Sequence, residues 1–317
     1  MNLKTLQIDE FPCKYVAVDN QEPPTMACRM SLPEMNDQEL PTVSILTPTC
    51  NRKKFLPLMI RNWNSIDYPK HKLEWIIVDD GSDAIGKLLP KDPRIRYIKL
   101  SKKITIGKKR NFLASVAHNK LLVHMDDDDF YPPESVIARV KSILVYQNQN
   151  IDKQCTGCLK TLCYDLINDQ TFEAYDASNE DKPATISEST LAYTRKFWKE
   201  QNYDNNSTKG ECLPFIKNRC KQIIHIPYIF VVTQLSHNSN TVKRWVTQST
   251  KHTVQFTDNI SMKDNQLIQR LRASIIQEFP EWSRAIAFVK NCYGINGPKY
   301  NFKQLNKKLK KLPIRLR

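Results

Sequence analysis

Short apolar runs alternate with amphipathic segments from about residue 41 onward. The runs at 43–47, 73–78, 95–100 and 120–125 have the length and the β-branched content typical of strands. Apolar residues recur at helical spacing between Leu56 and Ile66 and again within 107–119, and each pattern predicts a helix. Strands that alternate with helices predict an α/β fold, with a Rossmann-like, mostly parallel central sheet flanked by helices.

The pattern becomes less regular in the second half of the chain. A helix is predicted around 136–144, followed by strands at 159–167, 171–175 and 226–233 between polar stretches. We interpret this region as a smaller mixed portion. Two C-terminal helices are predicted at 265–279 and 282–289.

Acidic residues follow two of the predicted strands at the point where each strand ends. Asp79 and Asp80 follow the run 73–78, and four consecutive aspartates, Asp126 to Asp129, follow the run 120–125. Ligands of parallel sheets bind beyond the carboxyl ends of the strands. Adjacent carboxylates need a neutralising cation, and their oxygens suit Mg²⁺ or Mn²⁺. The pattern favours a cation site, although a solvated acidic turn is the alternative.

A basic segment opens the second predicted helix. Gly107 is followed by Lys108, Lys109 and Arg110, close to a helix start that attracts phosphate groups. These side chains either contact a diphosphate or lie on a solvated helix surface. The sequence leaves both interpretations open.

The formal net charge of +15 raises the question of nucleic-acid binding. The last twenty residues hold eight Lys or Arg and no acid, so about half of the net charge lies in one tail. Such a tail is typical of a solvated extension or a docking surface, and it favours peripheral contact with an anionic surface. Acidic strand ends would repel nucleic-acid phosphates unless a metal intervened, so nucleic acid is not an expected partner.

The start of the chain lacks the apolar region of a secretory signal, and no apolar run is long enough for a spanning helix. We therefore expect a cytoplasmic protein, either soluble or peripherally associated with a membrane.

Cys155, Cys158 and Cys163 lie close together, but no second ligand pair at matching spacing accompanies them. Reduced thiols are expected rather than a zinc site.

Four motifs in a fixed order make the first half recognisable. They are PTVSILTPTCNR, EWIIVDDGS, IGKKRNFL and HMDDDDFYPP. Together they resemble glycosyltransferase family 2, whose members have the GT-A fold and take sugars from nucleotide-sugar donors. The resemblance covers residues 41–135, and it is the order and spacing of the motifs that make it specific.

The resemblance implies roles for residues at the donor site. Asp80 would accept a hydrogen bond from the base with Asp79 nearby, and Arg110 would approach the diphosphate. The family often has an aromatic residue where this chain has Cys50, which leaves UDP-, GDP- and TDP-sugars open as donors. The residues expected to line the nucleotide pocket are Pro48, Thr49, Asn51 and Arg52.

The acidic cluster matches the DxD motif of the family. Asp126 and Asp128 correspond to its two acids, with Asp128 the direct ligand of Mn²⁺ or Mg²⁺ and Asp126 nearer the ribose and the cation. Asp127 is expected beside the donor, and Asp129 is expected to support the loop.

The second half is expected to supply the base of an inverting transfer, which takes the acceptor hydroxyl proton. Glu211, in the segment KGEC at 209–212, resembles the base position of some relatives, many of which have Glu-Asp there. An acid in a first helical turn also stabilises the helix without any catalytic role. His237 resembles an additional cation ligand of some GT-A enzymes, although a lone histidine is more often an ordinary polar residue.

These expectations divide the chain into four parts. They are an irregular arm at 1–40, a nucleotide-sugar-binding half at 41–130, an acceptor-binding and catalytic half at 131–262, and C-terminal helices with the basic tail at 263–317. The acceptor would be a hydroxyl group on a glycan, a lipid or a protein.

Two other functions are compatible with some of these features. A metal-dependent nucleotidyl or phosphoryl transferase also needs paired aspartates and a cation. A non-enzymatic basic nucleic-acid-binding protein would use the positive charge instead. A dehydrogenase ranks last, because the first predicted strand is not followed by Gly-x-Gly-x-x-Gly.

Overall fold

A computed structural model describes part of the chain in detail. The described residues are 4–6, 15–17, 34–158, 160–165, 170–175, 186–226 and 228–236. The predicted C-terminal helices, the basic tail and His237 lie outside these ranges. None of the helices within them combines the length and the apolar character needed to cross a bilayer.

Strands and helices alternate in the first half, as the sequence predicts. The strands are β1 (Lys4–Leu6), β2 (Tyr15–Ala17), β3 (Val43–Thr49), β4 (Leu73–Asp79), β5 (Ile95–Lys99), β6 (Leu121–His124), β7 (Cys155–Gly157), β8 (Lys160–Asp165), β9 (Gln170–Tyr175), β10 (Ala192–Thr194), β11 (Ile223–His225) and β12 (Thr233–Ser236). The helices are α1 (Leu56–Ser65), α2 (Ile106–Val116), α3 (Ser135–Asn148), α4 (Arg195–Glu200) and α5 (Cys212–Ile216).

Seven strands form a mixed, mostly parallel sheet in the order β11-β7-β10-β6-β3-β4-β5. Strand β3 pairs in parallel with β4 and β6, β4 pairs in parallel with β5, and β11 pairs in parallel with β7. Strand β10 runs antiparallel to both of its neighbours, β6 and β7. This arrangement confirms the predicted α/β architecture and places β3, with its two parallel neighbours, near the middle of the sheet.

Both faces of the central sheet are covered by helices. Ile45 of β3 packs in one apolar layer with Trp63 of α1 and Val140 of α3. Its neighbour Leu46 points to the opposite face and packs in a second layer with Leu113 of α2. Strands β3 and β4 are buried along their whole length, so their sequences lack the regular polar alternation of a half-exposed strand.

Two smaller sheets accompany the central one. Strands β1 and β2 pair in antiparallel fashion, and β8 lies between β9 and β12 in a three-stranded sheet. The predicted strands at 159–167 and 171–175 are confirmed as β8 and β9. Cys155, Cys158 and Cys163, three buried residues of this region, are free thiols.

The predicted strand at 226–233 is wrong. The structure has β11 ending at His225, a 3₁₀ turn at Tyr228–Phe230 and a separate strand, β12. The amides of Val231 and Val232 donate to the Tyr228 carbonyl, at 2.8 and 3.0 Å, instead of to a neighbouring strand. The sequence carries the reason, since Pro227 has no N–H to donate to a β-ladder.

Candidate active site

The carboxyl ends of β3, β4 and β6 meet at one edge of the central sheet. Thr49, the last residue of β3, donates from Oγ1 to Asp127 Oδ2 at 2.6 Å. The Thr49 carbonyl accepts from Lys109 Nζ at 3.0 Å, and the same ammonium pairs with Asp80 beyond the end of β4. The two acidic strand ends are therefore joined through Thr49 and Lys109 in a single site.

Asp80 is tightly held in this site. Its carboxylate accepts from Lys109 and, at 2.9 Å, from the amide of Ile104, and it also bonds to the Cys50 thiol. Burial acts to raise the pKa of Asp80, but these hydrogen bonds and the Lys109 charge outweigh burial and lower the pKa. These donors hold the Asp80 carboxylate in one orientation beyond the end of β4.

Asp79 points away from Asp80 and shapes the turn after β4. Its Oδ1 accepts from the Gly81 amide at 2.8 Å, and its Oδ2 accepts from the Tyr97 hydroxyl at 2.7 Å. Burial and the Asp79 charge raise the pKa of Tyr97 to about 12. The buried Asp79 side chain thus fixes the loop that carries Asp80.

The residues after β3 form a tight loop against the loop that follows β4. Pro48 is buried within β3, whereas Asn51 follows the strand with a φ of 55°. The Asn51 Oδ1 atom accepts from Ser82 Oγ at 3.1 Å and from the Asp83 amide at 3.0 Å. Asparagine tolerates this left-handed conformation better than most residues. The loop therefore has a defined shape beside the acidic strand ends.

Arg52 faces the acidic cluster. Its Nη1 lies 3.1 Å from Asp128 Oδ2, and both side chains are mostly shielded from solvent. Burial and the neighbouring Asp128 raise the pKa of Asp127 to about 7, while Arg52 and Thr49 act in the opposite direction. When Asp127 and Asp128 are both ionised, their negative charges repel each other. A bound cation would reduce this repulsion.

Asp129 anchors the loop that follows β6. Its Oδ1 accepts from the Leu235 amide at 3.1 Å, and its carbonyl accepts from Asn62 Nδ2 at 2.9 Å. These bonds tie the end of β6 to β12 and to α1. The position of Asp129 agrees with the supporting role expected from the sequence.

Arg110 joins two acidic residues that are far apart in sequence. Its Nη1 and Nη2 atoms each lie 3.0 Å from one oxygen of Asp126, and its Nε donates to Glu211 Oε1 at 2.7 Å. Burial lowers the pKa of Arg110, but the charges of Asp126 and Glu211 outweigh burial and hold the pKa well above its usual value. Glu211 therefore lies beside the acidic cluster, with Arg110 between them.

Glu188 is a second, partly buried carboxylate near Glu211. It accepts from the amide of Cys212, the first residue of α5, at 2.7 Å. Burial and the Glu211 charge raise the pKa of Glu188 to about 7. Sequence reasoning missed this residue, because Glu188 lies in an irregular stretch with no motif around it.

The first turn of α2 packs closely on the loop at 204–207. A Cβ atom on Gly107 would lie 2.0 Å from the Asp204 carbonyl oxygen, and the Gly107 amide donates to Ser207 O at 3.1 Å. Only glycine permits this approach. The contact fixes the helix that carries Lys109 and Arg110.

Gly107→Ala is expected to lower the free energy of unfolding by about 1–3 kcal/mol, because the added methyl group meets backbone and not a movable side chain. Urea unfolding measures the change. Lys108→Ala on the same helix is the matched control, since Lys108 is exposed and its replacement is expected to stay within about 0.5 kcal/mol. Equal stability of Gly107→Ala and the unaltered protein would contradict the close packing.

Residues 44–152 match the family model described as glycosyl transferase family 2. This stretch, about a third of the chain, is therefore similar to glycosyl transferase family 2. Among curated proteins, no sequence matches significantly.

The chain is also similar to solved structures. The mannosyltransferase PcManGT from Pyrobaculum calidifontis, in complex with GDP-Man and Mn²⁺, is 14% identical with a TM-score of 0.46, and the alignment covers 63% of this chain and 58% of that one. S. aureus TarS 1–349 in complex with UDP-GlcNAc is 15% identical with a TM-score of 0.43, covering 85% of this chain and 77% of that one. This chain thus spans less than two thirds of the mannosyltransferase.

The carboxylates at the end of β6 have the ligand chemistry of a hard divalent cation, but they are not gathered around one position. The carboxylates of Asp126, Asp127 and Asp128 are the oxygen ligands that Mg²⁺ and Mn²⁺ prefer, and these ions complete their coordination with water or substrate oxygens. Within the described ranges, no group of three or more His, Cys, Asp or Glu side chains is arranged around a common metal position. The predicted ligand His237 lies outside those ranges.

A buried polar cluster lies behind Arg110. His124, the last residue of β6, contacts Arg110 through one ring nitrogen and the hydroxyls of Tyr193 and Tyr203 through the other. Burial, together with the charges of Arg110 and Arg139, holds the pKa of His124 well below its usual value. The sequence signal for His124 is a polar ring at the end of an apolar strand.

Proposed function

We propose that this chain transfers a sugar from a nucleotide-sugar donor to a hydroxyl group of an acceptor, with inversion at the sugar carbon. The observation that carries the proposal is the meeting of the acidic ends of β4 and β6 in one site, within the stretch similar to family 2. That site has a buried Arg110 that contacts Asp126 and Glu211 together. A donor and a proton acceptor can therefore be held next to each other.

The donor would lie along the loops that follow β3 and β4. Asp80 is the residue proposed to bond to the base, with Asp79 behind it in the same turn. Arg110 and Lys109 supply positive charge for the diphosphate, which helix starts also attract. UDP-, GDP- and TDP-sugars remain the donor candidates. The pocket walls proposed for the nucleotide are Pro48, Thr49, Asn51 and Arg52.

Asp126 and Asp128 are proposed to hold Mn²⁺ or Mg²⁺, with Asp127 beside them and His237 as a further ligand. When bound, such an ion offsets the negative charge that develops on the departing diphosphate. The proposal is supported by the carboxylate pair Asp127 and Asp128, whose mutual repulsion a cation relieves.

Glu211 is proposed to take the proton from the acceptor hydroxyl. As the acceptor oxygen forms a bond to the sugar carbon, the bond from that carbon to the diphosphate oxygen breaks and the nucleoside diphosphate leaves. The Arg110 contact supports the role, because it holds the Glu211 carboxylate in one orientation next to the donor side. Residues 131–262 are proposed to supply the rest of the acceptor site, for a glycan, a lipid or a protein.

The two alternatives from the sequence receive less support. Nucleotidyl transfer would use the same cation, but it would give Glu211 no role in the reaction. Nucleic-acid binding would depend on the basic tail and would gain nothing from the acidic strand ends.

A nucleotide-sugar screen tests the proposed function. The protein is mixed with UDP-, GDP- and TDP-sugars, with and without Mn²⁺, and both melting temperature and sugar release are measured. Binding to the native state raises the melting temperature, and we expect the rise for one nucleotide class to need the cation. No shift and no sugar release with any donor would contradict the proposal.

Glu211→Gln is expected to lower the transfer rate by roughly 100- to 10,000-fold while donor binding is retained, because the amide cannot take a proton but still accepts the Arg110 bond. Transfer is measured under saturating donor, and donor binding is measured by calorimetry. Glu200→Gln is the control, since this exposed carboxylate on α4 is removed by the same chemical change.

A normal rate in Glu211→Gln would place the base elsewhere. Glu188→Gln distinguishes another candidate, because Glu188 is a partly buried carboxylate whose pKa is raised by the Glu211 charge. Loss of transfer in Glu188→Gln alone would assign the base to Glu188.

A further inference from the structure

The ring of His124 is enclosed and contacts polar groups on both sides. Its Nδ1 lies 3.1 Å from Arg110 Nη1. Its Nε2 lies 2.8 Å from the hydroxyl oxygen of Tyr193 and 3.2 Å from that of Tyr203. The side chain has no exposed surface, so these protein groups alone surround it.

The contact with Arg110 determines which ring nitrogen of His124 carries the proton. A guanidinium only donates hydrogen bonds, so Nδ1 must accept from Arg110 and carries no hydrogen. A neutral imidazole has one N–H, which is then on Nε2 and donates to the Tyr193 oxygen. A protonated ring would bring two N–H donors and two positive charges together at 3.1 Å.

The hydroxyls of Tyr193 and Tyr203 are placed to accept a hydrogen bond from the Nε2–H group of His124. Both hydroxyl oxygens lie at Nε2, that of Tyr193 at 2.8 Å and that of Tyr203 at 3.2 Å, and a hydroxyl oxygen can accept a hydrogen bond from a ring N–H. The two rings also pack with Phe215 of α5, directly after Glu211 in the fold. The segment that carries Glu211 and the partners of His124 therefore belong to one packed unit.

The Arg110 guanidinium has little rotational freedom as a result. Its Nη1 is shared between Asp126 Oδ1 and His124 Nδ1, its Nη2 bonds to the other oxygen of Asp126, and its Nε bonds to Glu211. Without an acceptor at the Nδ1 position, one Nη1 hydrogen would be buried and unbonded, and the plane of the guanidinium could rotate away from Asp126 or Glu211.

We propose that His124, as the neutral ring protonated on Nε2, is a positioning residue that orients Arg110 to bind Asp126 and Glu211 at the same time. This inference rests on the proposed function for its effect on transfer, and on hydrogen-bond chemistry alone for the state of the ring. His124 acts through Arg110 and touches neither donor nor acceptor.

The first arm of the test reads the ring directly. The protein is labelled with ¹⁵N in its six histidines, and the ring signals of His124 are assigned by their loss in His124→Asn. We expect one protonated and one unprotonated nitrogen, with the hydrogen on Nε2. A ring protonated on Nδ1, or on both nitrogens, would overturn the proposal whatever the enzyme does.

The second arm measures transfer in matched variants. His124→Phe keeps a ring but removes the acceptor, and we expect kcat to fall about 10- to 100-fold, as for other residues that orient an active-site group, while KM for the donor changes little. His124→Asn keeps an oxygen near the Nδ1 position and is expected to recover part of the rate. Equal kcat in His124→Phe and the unaltered protein would overturn the proposal, and so would equal loss in both variants.

The two arms separate failure of this inference from failure of the proposed function. If no nucleotide sugar is turned over by the unaltered protein, the proposed function is wrong, and the ¹⁵N signals still decide whether His124 holds Arg110. Tyr193→Phe adds a check, since removal of the hydroxyl is expected to shift the Nε2 signal while leaving Nδ1 unprotonated.

Discussion

Asp128→Ala is expected to lower the rate of sugar transfer by about a thousandfold, equivalent to about 4 kcal/mol in the activation free energy. Asp128 is the proposed direct ligand of the divalent cation, and its Oδ2 lies in the cluster that also contains Asp127 and Arg52. The loss should appear as a lost response to Mn²⁺. It is measured by titration of Mn²⁺ at saturating donor.

The fold is expected to survive this change. Arg52 keeps Asp127 and Asp129 as negatively charged neighbours, so removal of Asp128 does not leave an isolated buried charge. Asp37→Ala is the control for loss of one carboxylate, because Asp37 is exposed and lies before β3. Full Mn²⁺-dependent activity in Asp128→Ala would show that the cation is held elsewhere.

Arg110→Met is expected to have the largest effect on stability, lowering the free energy of unfolding by about 3–5 kcal/mol. The change leaves the buried Glu211 and the partly exposed Asp126 without the guanidinium that bonds to them. Sugar transfer should be lost as well, because the donor side and the proposed base are no longer held together. Urea unfolding and a transfer assay on the folded fraction measure the two effects.

Lys108→Met is the matched control for Arg110→Met. It removes one positive charge from the same helix at an exposed position and is expected to change stability by no more than about 0.5 kcal/mol. A stable and active Arg110→Met protein would mean that the contacts of Arg110 with Asp126 and Glu211 are dispensable.

The first half of the fold could be predicted from the sequence because its signals are local. The strands β3, β4 and β6 are apolar runs bounded by polar breaks, and α1 and α3 have clear helical periodicity. The rule that ligands bind at the carboxyl ends of parallel strands then brought Asp80 and Asp126 to one edge of the sheet. The contacts through Thr49 and Lys109 agree with this expectation.

The parts that could not be predicted depend on contacts between distant segments. Strand β10 has three residues, Ala-Tyr-Thr, too few for any periodicity, and it is a strand because β6 and β7 flank it. The pairing of Arg110 with Glu211 joins residues 101 positions apart, and no local pattern reports it. The tautomer of His124 follows from the same kind of contact.

The position of β10 determines where the chain can be truncated. The family 2 match ends at residue 152, before β7, β10 and β11, so a fragment cut there would leave one side of β6 without its neighbouring strand. Free backbone N–H and C=O groups along such an edge recruit strands from other molecules. The motif-bearing half alone is therefore a poor choice for expression, and a well-behaved truncation has to extend past β11.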